Sequence, residues 1–255
     1  MEFFIGVVTL NFFEYFLNKS ILTMQWSDLY LFSPLIILYI TAAAGFVGWL
    51  RMTEHVMTSY TRKIFHFLIF SMATVLQIAF GLKTVLLFGI WTSLAVLVAV
   101  AKGAGHPFYE ALARTKDAPR QTIFILIPLA STALGGLLSN LYFPKCAFVG
   151  YLVAGWADAI AEPVGARWGK HRYAVPSLFG IKATRSLEGS LAVLMTGMLA
   201  GLISGGILNA GSDKTLMLGL CCGLTGVLVE AVSPHGLDNL TVQLAVSAAV
   251  SVLLS

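Results

Sequence analysis

The stretch from Gly155 to Ser190 is the longest polar interruption in an otherwise apolar chain, and it holds the residue types most able to do chemistry. Asp158 and Glu162 are four residues apart, a spacing that puts two side chains on one face of a helix. Pro163 follows at once and predicts that the helix ends or kinks there. Two carboxylates at a broken helix end can hold a divalent cation such as Mg²⁺, with substrate phosphates completing its shell. The structural alternative is an ion pair with Arg167 or another nearby base. Gly165 and Gly169 come next, then Lys170, His171 and Arg172. Glycines let a backbone approach a ligand closely, and the bases supply positive charge. GARWGKH is not a P-loop, because it lacks the spacing and the hydroxyl residue after the lysine. Lys182, Arg185, Ser186, Glu188, Gly189 and Ser190 close the stretch at the start of an apolar run, with Ser186 placed as an N-cap. A helix start flanked by bases is an anion site. Acids for a metal, glycines for close approach, and bases at a helix start together describe a nucleotide or polyphosphate site at a membrane surface.

Two further clusters belong with it. Arg62, Lys63 and His66 open an apolar run, with Arg62 and His66 four apart. Glu230 closes another run, and Asp238 and Asn239 open the next, around a turn that contains Pro234 and Gly236. Taken alone, a histidine such as His66 is more often structural than functional, and Asp238 reads equally as a helix cap. Charged groups in a membrane protein nevertheless mark functional sites.

The elements that must position these residues are transmembrane helices. The 255-residue chain is 58% hydrophobic and 11% charged, against about 25% charged in soluble domains. Its mean hydropathy is +0.85. Long apolar segments, rather than weak alternation, exclude a β-barrel. The fold class is therefore all-α, a polytopic transmembrane bundle with about eight spans, at roughly 29–50, 62–80, 84–101, 121–139, 146–162, 187–208, 215–232 and 238–255. Residues 3–17 are apolar but short, without the basic flank of a signal peptide, and suit an interfacial helix or a short span. The chain reads as one integral membrane domain whose main site segment is the polar loop 163–186. Cys146, Cys221 and Cys222 form no metal or disulfide pattern. Twelve of the sixteen bases fall after the first, third and fifth spans, and Lys19, Lys83, Lys145 and Lys214 fall on the other side. This asymmetry accounts for the basic pI without nucleic acid and puts the central stretch in the cytosol. The SPHGLDN turn falls on the same side. Gly197, Gly201 and Gly205 in the sixth span, and Gly219 and Gly223 in the seventh, recur every fourth residue as in close helix packing.

The same residues resemble the CTP-dependent lipid-alcohol kinases, the family of dolichol, phytol and farnesol kinases and the CTP-type diacylglycerol kinase. TRKIFH is similar to that family's R-K-x-x-H opening. ADAIAEPVGARWGKHR followed by TRSLEGSLA is similar to its central D-x-x-A-x-x-x-G-x-x-x-G and K-S-x-x-G-S core, and VEAVSPHGLDNLTVQL to its closing block. The three blocks occur in order between residues 61 and 244. Arg185 stands where the family often has lysine, and Ala157 where it often has glycine. Arginine keeps the charge and can grip phosphate with a fork. The resemblance implies a bilayer-embedded enzyme that passes the γ-phosphoryl of CTP to the hydroxyl of a lipid alcohol, with Mg²⁺ or another divalent cation. The candidate catalytic groups are then Asp158, Asp238, Glu230, Asn239 and His66, with Asp158 or Asp238 acting on the hydroxyl. The candidate nucleotide-binding groups are Arg62, Lys63, Gly165, Gly169, Lys170, Lys182, Arg185, Ser186, Glu188, Gly189 and Ser190, and Asp158 and Glu162 are the metal ligands. Phosphatidate cytidylyltransferases share a similar middle block but close with K-R-x-x-x-x-K-D and H-G-G-x-x-D-R-x-D segments that are missing here. A transporter with an acidic pathway is the non-enzymatic alternative; no inverted repeat supports it.

Overall fold

The computed structural model describes residues 26–177 and 183–255. The N-terminal segment 3–17 and Lys182 lie outside the described residues. Nine α-helices are described: α1 (Trp26–Met52), α2 (Thr58–Phe80), α3 (Leu82–Lys102), α4 (Pro107–Leu112), α5 (Ile123–Tyr142), α6 (Ala147–Trp168), α7 (Leu187–Ile207), α8 (Ser212–Val232) and α9 (Asp238–Leu254). The protein is an all-α polytopic helical bundle. Six helices (α1, α2, α3, α5, α7 and α8) are long and apolar enough to cross a membrane. The other two expected spans are also helices: α6, which carries Asp158, Glu162 and Arg167, and the shorter α9. In a bilayer only hydrogen-bonded helices or closed barrels satisfy the backbone, so hydropathy leads directly to helices. The outer surface is apolar, with Leu191, Leu228, Val232 and Val252 all well exposed, as a lipid-facing surface requires.

The central helix is α6. Every residue from Ala147 to Gly155 is buried, and α2, α5, α7, α8 and α9 pack around it. Small residues allow this. A Cβ added at Gly155 would run into the Phe70 side chain of α2. The glycine series of α7 and α8 packs as its spacing predicts: a Cβ on Gly201 would come within 2.8 Å of the Gly219 backbone, and one on Gly197 within 3.0 Å of Gly223. Without a hydrophobic drive between helices in lipid, such close approach lets backbones gain dispersion contacts.

Two local expectations are corrected. Pro163 does not end the helix: α6 runs through Glu162 and Pro163 to Trp168. Membrane helices tolerate proline because neighbouring groups can satisfy the backbone it leaves unpaired. The 163–186 segment is also not all loop. Beyond α6 it forms an antiparallel hairpin of β1 (Arg172–Val175) and β2 (Ala183–Ser186), with Arg172 opposite Ser186 and Tyr173 opposite Arg185. These strands are short and polar, so they carry no hydropathy signal.

Candidate active site at one end of the bundle

The end of α1, the start of α2, the end of α6, the hairpin, the start of α7, the end of α8 and the start of α9 all border one cleft of about 480 Å³. Helices that run up and down alternately put these ends on one side, which brings residues 63, 158, 185 and 238 together.

Three ion-pair groups line the floor. On α2, Lys63 Nζ donates to Asp158 Oδ1 at 2.6 Å and lies 3.4 Å from Glu162 Oε2. The structural partner of the two α6 acids is therefore this lysine, not Arg167, which instead lies over the Trp168 ring. His66 Nε2 stands 3.4 Å from the other Asp158 oxygen without a hydrogen bond. On β2, Arg185 Nε lies 3.2 Å from Glu230 Oε1, and its Nη2 donates to Asp238 Oδ2 at 3.0 Å. The SPHGLDN turn and the central stretch, more than fifty residues apart, are thus joined by one guanidinium. Asp238 is the first residue of α9 and Leu237 its cap, so the acid does not serve as the N-cap. Its Oδ1 accepts the Asn239 amide, and Asn239 itself is buried behind it, donating to Thr132 on α5.

Arg114, the centre of the third group, was missed in the sequence because it read as a topology signal. Arg114 is almost wholly buried between α4 and α5. Its Nε donates to Asp117 at 2.8 Å, Nη1 to Glu162 at 3.1 Å and Nη2 to His235 Nε2 at 2.7 Å. Arginine has no acceptor, so His235 receives this bond on an unprotonated nitrogen. Burial opposes the charge on Arg114, but Glu162 and Asp117 outweigh it and hold its pKa above the usual value. Burial, then the charges of Arg114, Arg62 and Lys63, lower the His235 pKa to about 3. His235 also donates its backbone amide to Pro176 O, which fastens the turn to the hairpin, and Gly236 turns the chain with φ +95°. No periodicity or motif singled out Arg114 or His235; only a buried base in a short loop could have hinted at the former.

The remaining predicted residues divide by position. Ser186 caps α7, accepting the Gly189 amide at 3.1 Å, and lines the cleft with Gly165, Gly189 and Ser190. Crowding explains the glycines: Cβ atoms at Gly165 and Gly169 would lie 2.9 and 2.7 Å from Ser186 Oγ. Their close approach serves the crossing of α6 and α7. Glu188 turns away to the His171 ring and amide, and Lys170 is exposed; neither borders the cleft. Arg62 sits behind the floor, 4.0 Å from Asp117.

The donor set suits a hard divalent cation. Among the described residues no three His, Cys, Asp or Glu side chains are arranged as a ready-made metal site. Mg²⁺ needs fewer, since it is usually held by one or two carboxylates plus phosphates. The Lys63 ammonium held by Asp158 and Glu162 stands where positive charge is favoured. Glu230 Oε2 is buried nearby without a partner, in a recess it shares with Asp158 and Asp238.

The fold and the cleft define an integral membrane protein with a charged, polar site at one end of its helix bundle. A part of the chain is similar to phytol kinase from Synechocystis sp. (strain ATCC 27184 / PCC 6803 / Kazusa), at 35% identity over 114 residues, or 44% of this chain. The match spans 45% of that relative's length. No family model matches the chain, and no solved structure matches it.

Proposed function

We propose that the protein is an integral membrane kinase that transfers the γ-phosphoryl group of CTP to the hydroxyl of a lipid alcohol, at the cytosolic face. The observation that carries this reading is the meeting of the α6 acids, Lys63 and the Arg185–Asp238 pair in one cleft at the bundle end, in a chain partly similar to phytol kinase. A lipid hydroxyl lies at the membrane boundary, and a charged cleft at one end of an apolar helix bundle suits its capture there.

Phosphoryl transfer is mostly positioning and neutralisation of charge. In the proposed reaction the acceptor oxygen bonds to the γ-phosphorus, the bond from that phosphorus to the β–γ bridging oxygen breaks, and CDP leaves. The acceptor proton passes to a carboxylate. Asp158 suits that role better than Asp238. Among the described residues one Asp158 oxygen accepts no hydrogen bond and has His66 3.4 Å away, whereas both Asp238 oxygens accept hydrogen bonds. Lys63 and Arg185 neutralise charge on the phosphates. Asp158, with Glu162 beside it, would hold Mg²⁺, which when bound supplies further neutralisation of the phosphate oxygens.

The test is transfer of label from CTP to lipid by the full chain in lipid nanodiscs, with a long-chain isoprenoid alcohol or diacylglycerol as acceptor. The γ label should enter lipid and CDP should accumulate. Entry of the α label with release of pyrophosphate would replace this reading with that of a cytidylyltransferase, and transfer of neither label would remove it.

A further inference from the structure

The charges of the cleft are divided unevenly. On the floor, Asp158, Glu162, Glu230 and Asp238 outnumber Lys63, Arg114 and Arg185, and each of these three cations is already ion-paired. A floor with that balance does not by itself attract the phosphates of a nucleotide. Arg51 and Arg172 border the same cleft and form no ion pair among the described residues. Arg51 comes from the end of α1, where its Nη1 donates to Val56 O at 3.2 Å, leaving other donors of its fork. Arg172 is exposed at the first position of β1, opposite Ser186, so the two side chains share a face of the hairpin. Lys116 borders the same cleft with a 63% exposed side chain, at 3.4 Å from Glu162.

We propose that Arg51 and Arg172, assisted by Lys116, form a rim station that binds the two non-transferred phosphates of a nucleoside triphosphate and so aims its terminal phosphate at the acidic floor. The inference rests on the kinase reading for the direction of the nucleotide but not for the anion site itself. Two arginine forks from different elements, the end of α1 and β1, can grip a chain of phosphates at two points, which fixes its direction as one charge cannot. The same station retains the diphosphate after transfer, so substrate and product share these contacts.

The experiment is binding of CTP, CDP, CMP and inorganic tripolyphosphate to the full chain in nanodiscs, for wild type, Arg51→Gln, Arg172→Gln and the two Arg→Lys variants. Each glutamine variant should weaken CTP, CDP and tripolyphosphate by about tenfold and leave CMP nearly unchanged, with partial recovery in the lysine variants. The value of kcat/KM for CTP should fall at least as far as the affinity, because losing the contacts that aim the terminal phosphate costs transition-state stabilisation as well as binding. Unchanged CDP affinity in Arg172→Gln, whose exposed side chain carries little of the fold, would overturn the proposal. So would a loss confined to association with anionic phosphatidylglycerol nanodiscs relative to phosphatidylcholine ones, which would assign the arginines to lipid headgroups. A cytidylyltransferase outcome in the labelling assay removes the kinase reading and leaves the expected loss of tripolyphosphate binding in place.

Discussion

Replacing Asp158 with asparagine tests whether the buried pair with Lys63 exists for chemistry or for stability. The substitution keeps the size and an oxygen that can accept from Lys63 Nζ, now 2.6 Å from the carboxylate. It does not orphan the ammonium, because Glu162 remains 3.4 Å away. The stability cost should therefore be that of weakening one hydrogen bond to a charged group, about 1–3 kcal/mol. The opposite change, Lys63→Met, leaves Asp158 and Glu162 facing each other without their shared cation in a largely buried site. Removing one partner of such a pair costs about 3–5 kcal/mol. Activity should follow the reverse order of cause. Loss of a proton acceptor at the reacting hydroxyl lowers turnover by about 10²–10⁴, equivalent to about 3–5 kcal/mol of barrier. The assay is γ-label transfer per folded molecule, measured beside the melting temperature of each variant in nanodiscs. Asp158→Asn should stay folded and nearly inactive, while Lys63→Met should be the less stable of the two. Turnover near wild type in folded Asp158→Asn would refute a chemical role for Asp158, and a larger stability loss in Asp158→Asn than in Lys63→Met would refute the charge arrangement.

Three other outcomes follow from the same geometry. Asp238→Asn removes a negative charge from the floor and loosens the hold on Arg185 Nη2, now 3.0 Å from that carboxylate, so KM for CTP should fall; a raised KM would show that Asp238 positions the arginine for the nucleotide rather than competing for it. His235 has a folded pKa near 3, below its ordinary value, so the unfolded chain binds the extra proton as pH falls below about 6.5. Wild type should thus lose melting temperature from about pH 6.5 downward, and His235→Gln should lose less; parallel curves would contradict the buried neutral imidazole. Cysteine at Ala174, exposed on β1, should react with an impermeant reagent only from the cytosolic side, and labelling from the opposite side alone would invert the topology.

Much of the architecture was legible because the bilayer leaves so few solutions. Apolar runs of sufficient length must become helices, and the bases between them set which ends share a side. That logic placed residues 63, 158, 185 and 238 at one end of the bundle from sequence alone. The fourfold glycine spacing of α7 and α8 also predicted its own contact, because spacing on a helix determines which face a residue occupies. What remained undetermined was the rotation and depth of each helix relative to its neighbours. Hydropathy is generic around a lipid-facing helix, so nothing local says that Lys63 meets Asp158, that Arg185 bridges Glu230 and Asp238, or that Pro163 lies within α6. Arg114 and His235 show the same limit most sharply. They are 121 residues apart and lie in short connecting segments, and their bond exists only because α4, α6 and the turn before α9 converge on one buried point. The sequence by itself determined the kinds of charge available and the end of the bundle that carries them. Tertiary packing decided which charges neutralise one another and which remain open to a ligand, because Coulomb interactions depend on distances of a few ångströms that no sequence spacing specifies.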